Sequence, residues 1–83
     1  MTQRPDIWVV EDDEAIRYVL QRALSRSGYE VQCFETVADV SLALGRATPR
    51  TIITDIRLPD ADGLNVLDVL QGKGVVVPVI AMT

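Results

Sequence analysis

Residues 51–63 of this chain read TIITDIRLPDADG. The first four are all β-branched, which predicts a strand that ends at Asp55. The stretch from Ile56 to Gly63 predicts a loop because it contains residues that favour turns, namely Pro59, Asp60, Asp62 and Gly63. The strand therefore ends in a carboxylate at the start of a loop.

Helices and strands alternate on both sides of this strand. The apolar run Ile7–Val10 predicts a strand buried on both faces, as in a parallel sheet. Residues 29–34 predict an edge strand, and residues 75–82 predict a last strand with Pro78 near its beginning. Three helices are predicted between the strands; the first carries Ile16, Val19, Leu20, Ala23 and Leu24 on one face, the second Val37, Val40 and Leu44, and the third Leu64, Leu67 and Leu70.

The order β-α-β-α-β-α-β predicts an α/β fold made of parallel βαβ units. Asp13 is expected to cap the start of the first helix, Gly28 to end it, and Thr36 to cap the second. The carboxyl ends of parallel strands lie at one edge of a sheet, and ligands bind there. Polar residues at the ends of these strands should therefore meet.

Composition limits the classes of protein to consider. The chain has 83 residues, enough for one domain, and 48% of them are hydrophobic, which fits a globular protein rather than a disordered one. The formal net charge is −4 without a basic cluster, which argues against direct nucleic-acid contact by this segment. One cysteine predicts a reducing, cytoplasmic location, and no apolar run is long enough to predict a membrane span.

Polar residues stand at the ends of three predicted strands: Glu11 and Asp12 after the first, Asp55 after the third, and Thr83 after the fourth. If the first strand lies beside the third, three carboxylates become neighbours and repel one another. A divalent cation relieves this repulsion, and ligands that are all oxygen favour Mg²⁺ or Mn²⁺ over zinc. We therefore predict a metal site at this edge.

A carboxylate beside such a cation can attack phosphorus and form an acyl phosphate. A hydroxyl such as that of Thr83 can donate a hydrogen bond to the phosphoryl oxygens. Each residue also has an ordinary interpretation, since acids after a strand often lie in solvated loops or at helix N-termini. Asp60 and Asp62 are interpreted as turn formers.

With these residues in view, the chain resembles the receiver domains of bacterial two-component systems. The resemblance covers the whole chain, residues 1–83, and rests on VVEDD at 9–13, TDIRLPDADG at 54–63 and PVIAMT at 78–83. More narrowly, the chain resembles the NtrC-type enhancer-binding regulators of nitrogen metabolism in residues 7–10, 16–17, 22–24 and 54–57. The resemblance implies a three-layer α/β/α, flavodoxin-like (CheY-like) fold with strand order 2-1-3-4.

The resemblance also implies a role for each site residue. Asp55 matches the phosphoacceptor, Asp12 the direct metal ligand, and Glu11 the acid that reaches the metal through water. Arg57 matches the position that gives its backbone carbonyl to the metal, and Thr83 matches the switch hydroxyl. The implied partner is a sensor histidine kinase, and the implied function is regulation of transcription. Such a module is a phosphoacceptor and not an enzyme, apart from catalysing its own phosphoryl transfer and dephosphorylation.

The chain departs from the receiver pattern after Thr83, where family members continue with a helix, a fifth strand ending in a Lys, and a last helix. The sequence is therefore interpreted as the N-terminal two-thirds of a receiver domain. The expected output domains, an ATPase and a DNA-binding domain, are also outside it. With its fourth strand left as an apolar edge, the truncated chain is expected to self-associate.

Two other functions stay open at this point. A metal-dependent phosphohydrolase with an aspartate nucleophile also places an Asp after a buried strand, but typically has a second acid two residues later, where this chain has Arg57. An inert interaction fragment is the other alternative. A nucleotide-binding Rossmann half is disfavoured because acids, and not a glycine-rich turn, follow the first strand.

Overall fold

The computed structural model describes residues 6–58, 60 and 62–82 of the chain. Within these residues, strands and helices alternate along the chain as the sequence predicts. Their bounds are β1 Asp6–Val10, α1 Glu14–Arg26, β2 Glu30–Phe34, α2 Val37–Leu44, β3 Thr51–Asp55, α3 Asn65–Gly72 and β4 Val79–Met82.

The four strands form one parallel sheet in the order β2-β1-β3-β4, as expected. In the central part of the sheet, Val10 lies opposite both Phe34 of β2 and Thr54 of β3. Asp55 lies opposite Met82 of β4. The carboxyl ends of β1, β3 and β4 therefore meet at one edge of the sheet.

The main core lies on the sheet face that α2 and α3 cover. Trp8 and Val10 of β1 and Ile52 of β3 point to this face, because alternate residues of a strand share a face. The Trp8 ring packs against Phe34 with its centroid 5.0 Å away at a tilt of 57°. The helices contribute the remaining buried side chains of this cluster, together with one from the segment before β4: Val37, Val40, Leu44, Val66, Leu70 and Val77.

Helix α1 begins and ends as predicted, but it buries less than its sequence predicts. The Asp13 carboxylate accepts hydrogen bonds from the backbone N–H groups of Ala15 and Ile16, and Gly28 has a φ of 94°. No residue of α1 is buried; Ile16 is 44% exposed and Val19 is 63% exposed. Among the described residues, no second helix lies beside α1, so part of its apolar face stays in contact with solvent.

Strand β4 is shorter than expected, since it begins at Val79 and not at Val75. The N–H of Val75 bonds the carbonyl of Leu70 and so belongs to the turn that ends α3. Pro78 has no N–H to give, and its carbonyl accepts the first bond of the β3–β4 ladder from Ile52 at 3.0 Å. The apolar segment before Pro78 is therefore a connection that packs on the core rather than a strand.

The described helices are short and amphipathic. The longest, α1, has 13 residues and a mainly polar sequence. None of the helices in the described ranges could therefore cross a bilayer.

Candidate functional site

Three carboxylates meet at the carboxyl edge of the sheet. Glu11 and Asp12 follow β1, and Asp55 is the last residue of β3. Because β1 and β3 are neighbours in the sheet, an oxygen of each carboxylate lies within 4.8 Å of an oxygen of the others. The sequence-predicted convergence of these three acids is therefore present.

Glu11 is the buried member of this acidic cluster (Glu11, Asp12 and Asp55), with 3% of its surface exposed. Its Oε2 accepts a hydrogen bond from the backbone N–H of Asp13 at 3.1 Å, which partly compensates for the lost water. Burial raises the pKa of Glu11, and the neighbouring carboxyl groups of Asp12 and Asp55 raise it further. The charged form of Glu11 is therefore less favourable here than that of an exposed glutamate.

Asp55 faces an open cleft of about 590 Å³ at the same edge. Its Oδ1 accepts a hydrogen bond from the backbone N–H of Arg57 at 3.3 Å. The cleft has both charged and apolar residues in its lining, namely Glu11, Ile16, Asp55, Ile56, Arg57 and Met82. A small charged group can enter this cleft and reach the Asp55 carboxylate.

The loop between β3 and α3 folds back onto the end of β3. The N–H of Gly63 donates to the carbonyl of Ile56 at 2.7 Å, and Arg57 forms an antiparallel bridge with Asp62. A Cβ atom on Gly63 would overlap the carbonyl oxygen of Asp55. The absence of a side chain at position 63 thus lets the loop close directly against the Asp55 backbone.

Arg17 of α1 contacts the backbone at the end of β1, which the sequence analysis did not predict. Its Nη1 donates to the backbone carbonyl of Glu11 at 2.9 Å, and its Nη2 lies 3.7 Å from Oε1 of Glu35. Sequence spacing gave no indication of this contact, because the helical pattern of α1 identifies its apolar positions and not the partners of its polar side chains. The guanidinium fixes the corner where β1 ends.

Asp60 was interpreted as a turn former, and the structure gives it a different contact. Its Oδ1 accepts the backbone N–H of Val37 at 3.1 Å, and its Oδ2 accepts that of Ala38 at 3.0 Å. These hydrogen bonds, the one from Val37 foremost, lower the pKa of Asp60. Asp62 does act as a local turn former, since its Oδ1 accepts the N–H of Leu64 at 2.8 Å.

Comparison with known families identifies the chain. Residues 7–83 match the model of the response regulator receiver domain. This chain belongs to the receiver domain family. The resemblance found in the sequence, and with it the CheY-like fold, is thus confirmed.

Known relatives of this receiver domain include full-length regulators. It is 43% identical over 81 residues to the DNA-binding transcriptional regulator NtrC of Proteus hauseri. It is 44% identical over the same length to the protein of that name from Escherichia coli K12. Each match covers 98% of this chain and 17% of the relative, so the chain spans about a sixth of the length of these regulators.

Solved receiver domains have the same architecture. The beryllofluoride-activated NtrC receiver domain superposes with a TM-score of 0.85 at 43% identity, covering 99% of this chain and 66% of that one. The MaeR response regulator bound to beryllium trifluoride superposes with a TM-score of 0.84 at 30% identity, covering 95% of this chain and 66% of that one. The parallel order β2-β1-β3-β4 is thus shared with the family.

The other predicted site residues of the receiver domain have different outcomes. Arg57 lines the cleft, and its N–H contacts Asp55, whereas the use of its carbonyl as a metal ligand stays a prediction. Thr83 lies outside the described residues, and so does Pro59. The roles assigned to Asp55, Asp12 and Glu11 also remain predictions, although the structure places the three residues together.

The acidic cluster fits a hard divalent cation. Its donors are all carboxylate oxygens, which suit Mg²⁺ and Mn²⁺ better than zinc. Among the described residues, one ion pair is present, and it joins Arg17 to Glu35. None of the three carboxylates in this part of the chain is therefore paired with a cationic side chain. A bound cation would offset the repulsion among these carboxylates, which adds to the effect of burial in raising the pKa of Glu11.

Proposed function

We propose that this receiver domain accepts a phosphoryl group on Asp55 from a sensor histidine kinase, in the presence of Mg²⁺. The observation that carries the proposal is the acidic cluster, whose carboxylate oxygens lie within 4.8 Å of one another at an open sheet edge. Glu11, Asp12 and Asp55, with the backbone carbonyl of Arg57, are the proposed holders of the cation. Mn²⁺ has the same oxygen preference and is the proposed substitute.

In the proposed reaction, a carboxylate oxygen of Asp55 forms a bond to phosphorus while the bond from phosphorus to the donor nitrogen breaks. The electron pair of that bond stays on the donor imidazole, and Asp55 becomes an acyl phosphate. When bound, Mg²⁺ supplies positive charge that offsets the charge of the transferring group. The hydroxyl of Thr83 is the proposed hydrogen-bond donor to the phosphoryl oxygens.

The proposal extends to the regulator of which such a receiver domain would be a part. We infer control of transcription, with nitrogen-related genes as targets, through an ATPase and a DNA-binding output domain. Support comes from the identity of 43–44% to regulators named NtrC, of which this chain spans 17%. A cytoplasmic location follows from the same proposal, because the kinase domain and DNA would both be met there.

The phosphohydrolase alternative gains no support. Such a site would need a second acid two residues after the nucleophile, and Arg57 stands there with its side chain exposed. The phosphoacceptor proposal does not need that acid. It is therefore the function that the arrangement supports best.

We also propose that the 83-residue chain by itself pairs with a second copy along β4. In the described sheet β4 is an edge strand, and Ile80 is 54% exposed. Light scattering after size exclusion should give a mass above that of one chain at high concentration, and Ile80→Lys should reduce it. A parent that stays monomeric at all concentrations would reject this pairing.

Phosphorylation tests the proposed function directly. Residues 1–83 are joined to the C-terminal third of the Escherichia coli NtrC receiver domain, because this chain covers 66% of a solved NtrC receiver domain and the resemblance implies that the remainder follows Thr83. With acetyl phosphate and Mg²⁺, intact mass spectrometry should show the gain of one phosphoryl group. Asp55→Asn should abolish the gain, because an amide is a poor nucleophile.

Asp68→Asn is the matched control, since it makes the same change of charge at an exposed acid of α3. It should be phosphorylated like the parent. Equal phosphorylation of Asp55→Asn and the parent would refute Asp55 as the acceptor.

A further inference from the structure

Two side chains cap the N-terminus of helix α2, one from the residue directly before the helix and one from a distant loop. Thr36, directly before α2, accepts the N–H of Asp39 with its side-chain oxygen at 3.1 Å. Asp60, which lies 23 residues beyond Val37, accepts the N–H groups of Val37 and Ala38 with one oxygen each. The loop residue thus bonds the two N–H groups that Thr36 leaves free.

The loop that carries Asp60 is the loop that begins at Asp55. Its two ends are joined by the bridge between Arg57 and Asp62 and by the hydrogen bond from Gly63 to Ile56. Asp60 therefore lies in the part of the loop farthest from that closure. Two kinds of contact hold the loop: its base is fixed against β3, and its tip is fixed to α2.

Helix α2 is a firm anchor for this tip. Val37, Val40 and Leu44 are buried in the same core as Val66 and Leu70 of α3. Among the described residues of the loop, Asp60 is the one whose side chain hydrogen-bonds another helix. Among the described residues of the loop, its loss would remove the side-chain attachment to α2.

We propose that Asp60 is a positioning residue for the metal site, which it serves by holding the β3–α3 loop against the N-terminus of α2. Through this attachment the loop presents Arg57 and Asp55 to the cation in one fixed arrangement. The same attachment transmits a change at the cation site to Val37 and Ala38. This inference rests on the proposed function, because it requires Mg²⁺ to bind the acidic cluster.

Groups that hydrogen-bond a metal ligand typically contribute a factor of 10 or more to metal affinity, and we expect the lower end of this effect from Asp60, which acts on the ligands through the loop. The test is a Mg²⁺ titration of the 83-residue chain, and of the same chain joined to the C-terminal third of the Escherichia coli receiver domain, followed by amide NMR. In the parent, the Val37 and Ala38 signals should shift with the same midpoint as those of Asp12 and Arg57. Asp60→Ala should weaken Mg²⁺ binding about tenfold.

Thr36→Ala is the matched control, because it removes the other cap of α2 without touching the loop. It should bind Mg²⁺ within about twofold of the parent, although both variants lose a helix cap of comparable worth. Asp60→Asn keeps one acceptor oxygen and should restore part of the lost affinity. It also replaces Asp60→Ala if the fluorescence of Trp8 shows that the alanine variant is unfolded.

Parent-like Mg²⁺ binding by Asp60→Ala, or an equal loss in Thr36→Ala, would show that Asp60 is only a helix cap and would overturn this inference. Either result would leave the metal site itself standing. A parent that binds no Mg²⁺ in either form would reject the metal site, and the inference with it. Mg²⁺ binding without any shift at Val37 and Ala38 would refute the link to α2.

Discussion

The backbone of Gly63 lies against the carbonyl group of Asp55 so closely that no Cβ atom fits between them. The proposed phosphoacceptor is thus held by a residue eight positions later in the chain. The atoms in the way belong to the backbone of Asp55 and Ile56, which cannot move aside as a flexible side chain would. The fold of the loop and the position of Asp55 therefore depend on each other.

Gly63→Ala should destabilise the protein and displace Asp55. The added methyl group has to push the loop away from β3, and overpacking of this kind costs about 1–3 kcal/mol or more. Urea unfolding of the parent and the variant measures the loss.

Gly72→Ala is the matched control for this substitution. Gly72 is the last residue of α3, and a Cβ atom there meets nothing within 4 Å. The change should leave the free energy of unfolding equal or raise it by about 0.5–1 kcal/mol, because alanine favours a helix. Equal effects of the two substitutions would contradict the close packing at Gly63.

Mg²⁺ should stabilise the folded protein through the acidic cluster. A ligand that binds only the native state at 100 times its Kd adds about 2.7 kcal/mol to the free energy of unfolding. The midpoint of thermal unfolding should therefore rise with added Mg²⁺ in the parent and stay constant in Asp12→Ala. The Asp68→Ala variant should respond like the parent, and a parent-like response of Asp12→Ala would place the cation elsewhere.

Replacing valine by alanine should lower the free energy of unfolding more in α3, which packs on the main core, than in α1. Val66 of α3 is fully buried, whereas Val19 of α1 is 63% exposed. Val66→Ala removes two buried carbon groups worth roughly 0.8 kcal/mol each and leaves a cavity, so a loss of about 2–3 kcal/mol is expected. Val19→Ala should change stability by less than about 0.5 kcal/mol. Chemical denaturation measures both, and a comparable loss at Val19 would mean that α1 is packed more tightly than the structure shows.

The hydrogen bonds of Asp60 predict a particular dependence on pH. They lower the pKa of Asp60 in the folded state below the usual value of about 3.9. The stability that this carboxylate contributes is therefore present above about pH 4 and is lost as pH falls through the lowered pKa. Asp60→Asn should be less stable than the parent at pH 6, and the difference should narrow below about pH 4. Urea midpoints across this range test the sign, and a constant difference would contradict it.

Local patterns were sufficient to predict most of the fold and the members of the acidic cluster. The apolar run before Glu11 and the β-branched run before Asp55 mark strands, and neighbouring parallel strands bring their ends together. The meeting of these strand ends depends only on strand order, and the structure confirms that order.

The contacts that the sequence did not reveal depend on distances across the fold. The bond from Asp60 to Val37 joins residues that are far apart in the chain, and Asp60 has the local features of a turn residue. Likewise, the apolar face of α1 has the pattern of a buried helix, but its burial depends on what lies beside it on the sheet. The start of β4 was misplaced because the residues before Pro78 are as apolar as a strand and pack on the core in another way.

The central position of β1 also affects how the chain can fold. Each pair of neighbouring strands is parallel, so no pair can form through a tight hairpin, and every pairing must close a loop that contains a helix. During synthesis β1 can pair with β2 early, but its other edge has to wait until β3 leaves the ribosome. Of the two strands that have a neighbour on each side, β1 is made first and waits longer for its second neighbour than β3 does. Its apolar residues therefore stay open to wrong pairing on one side for much of the synthesis of the sheet.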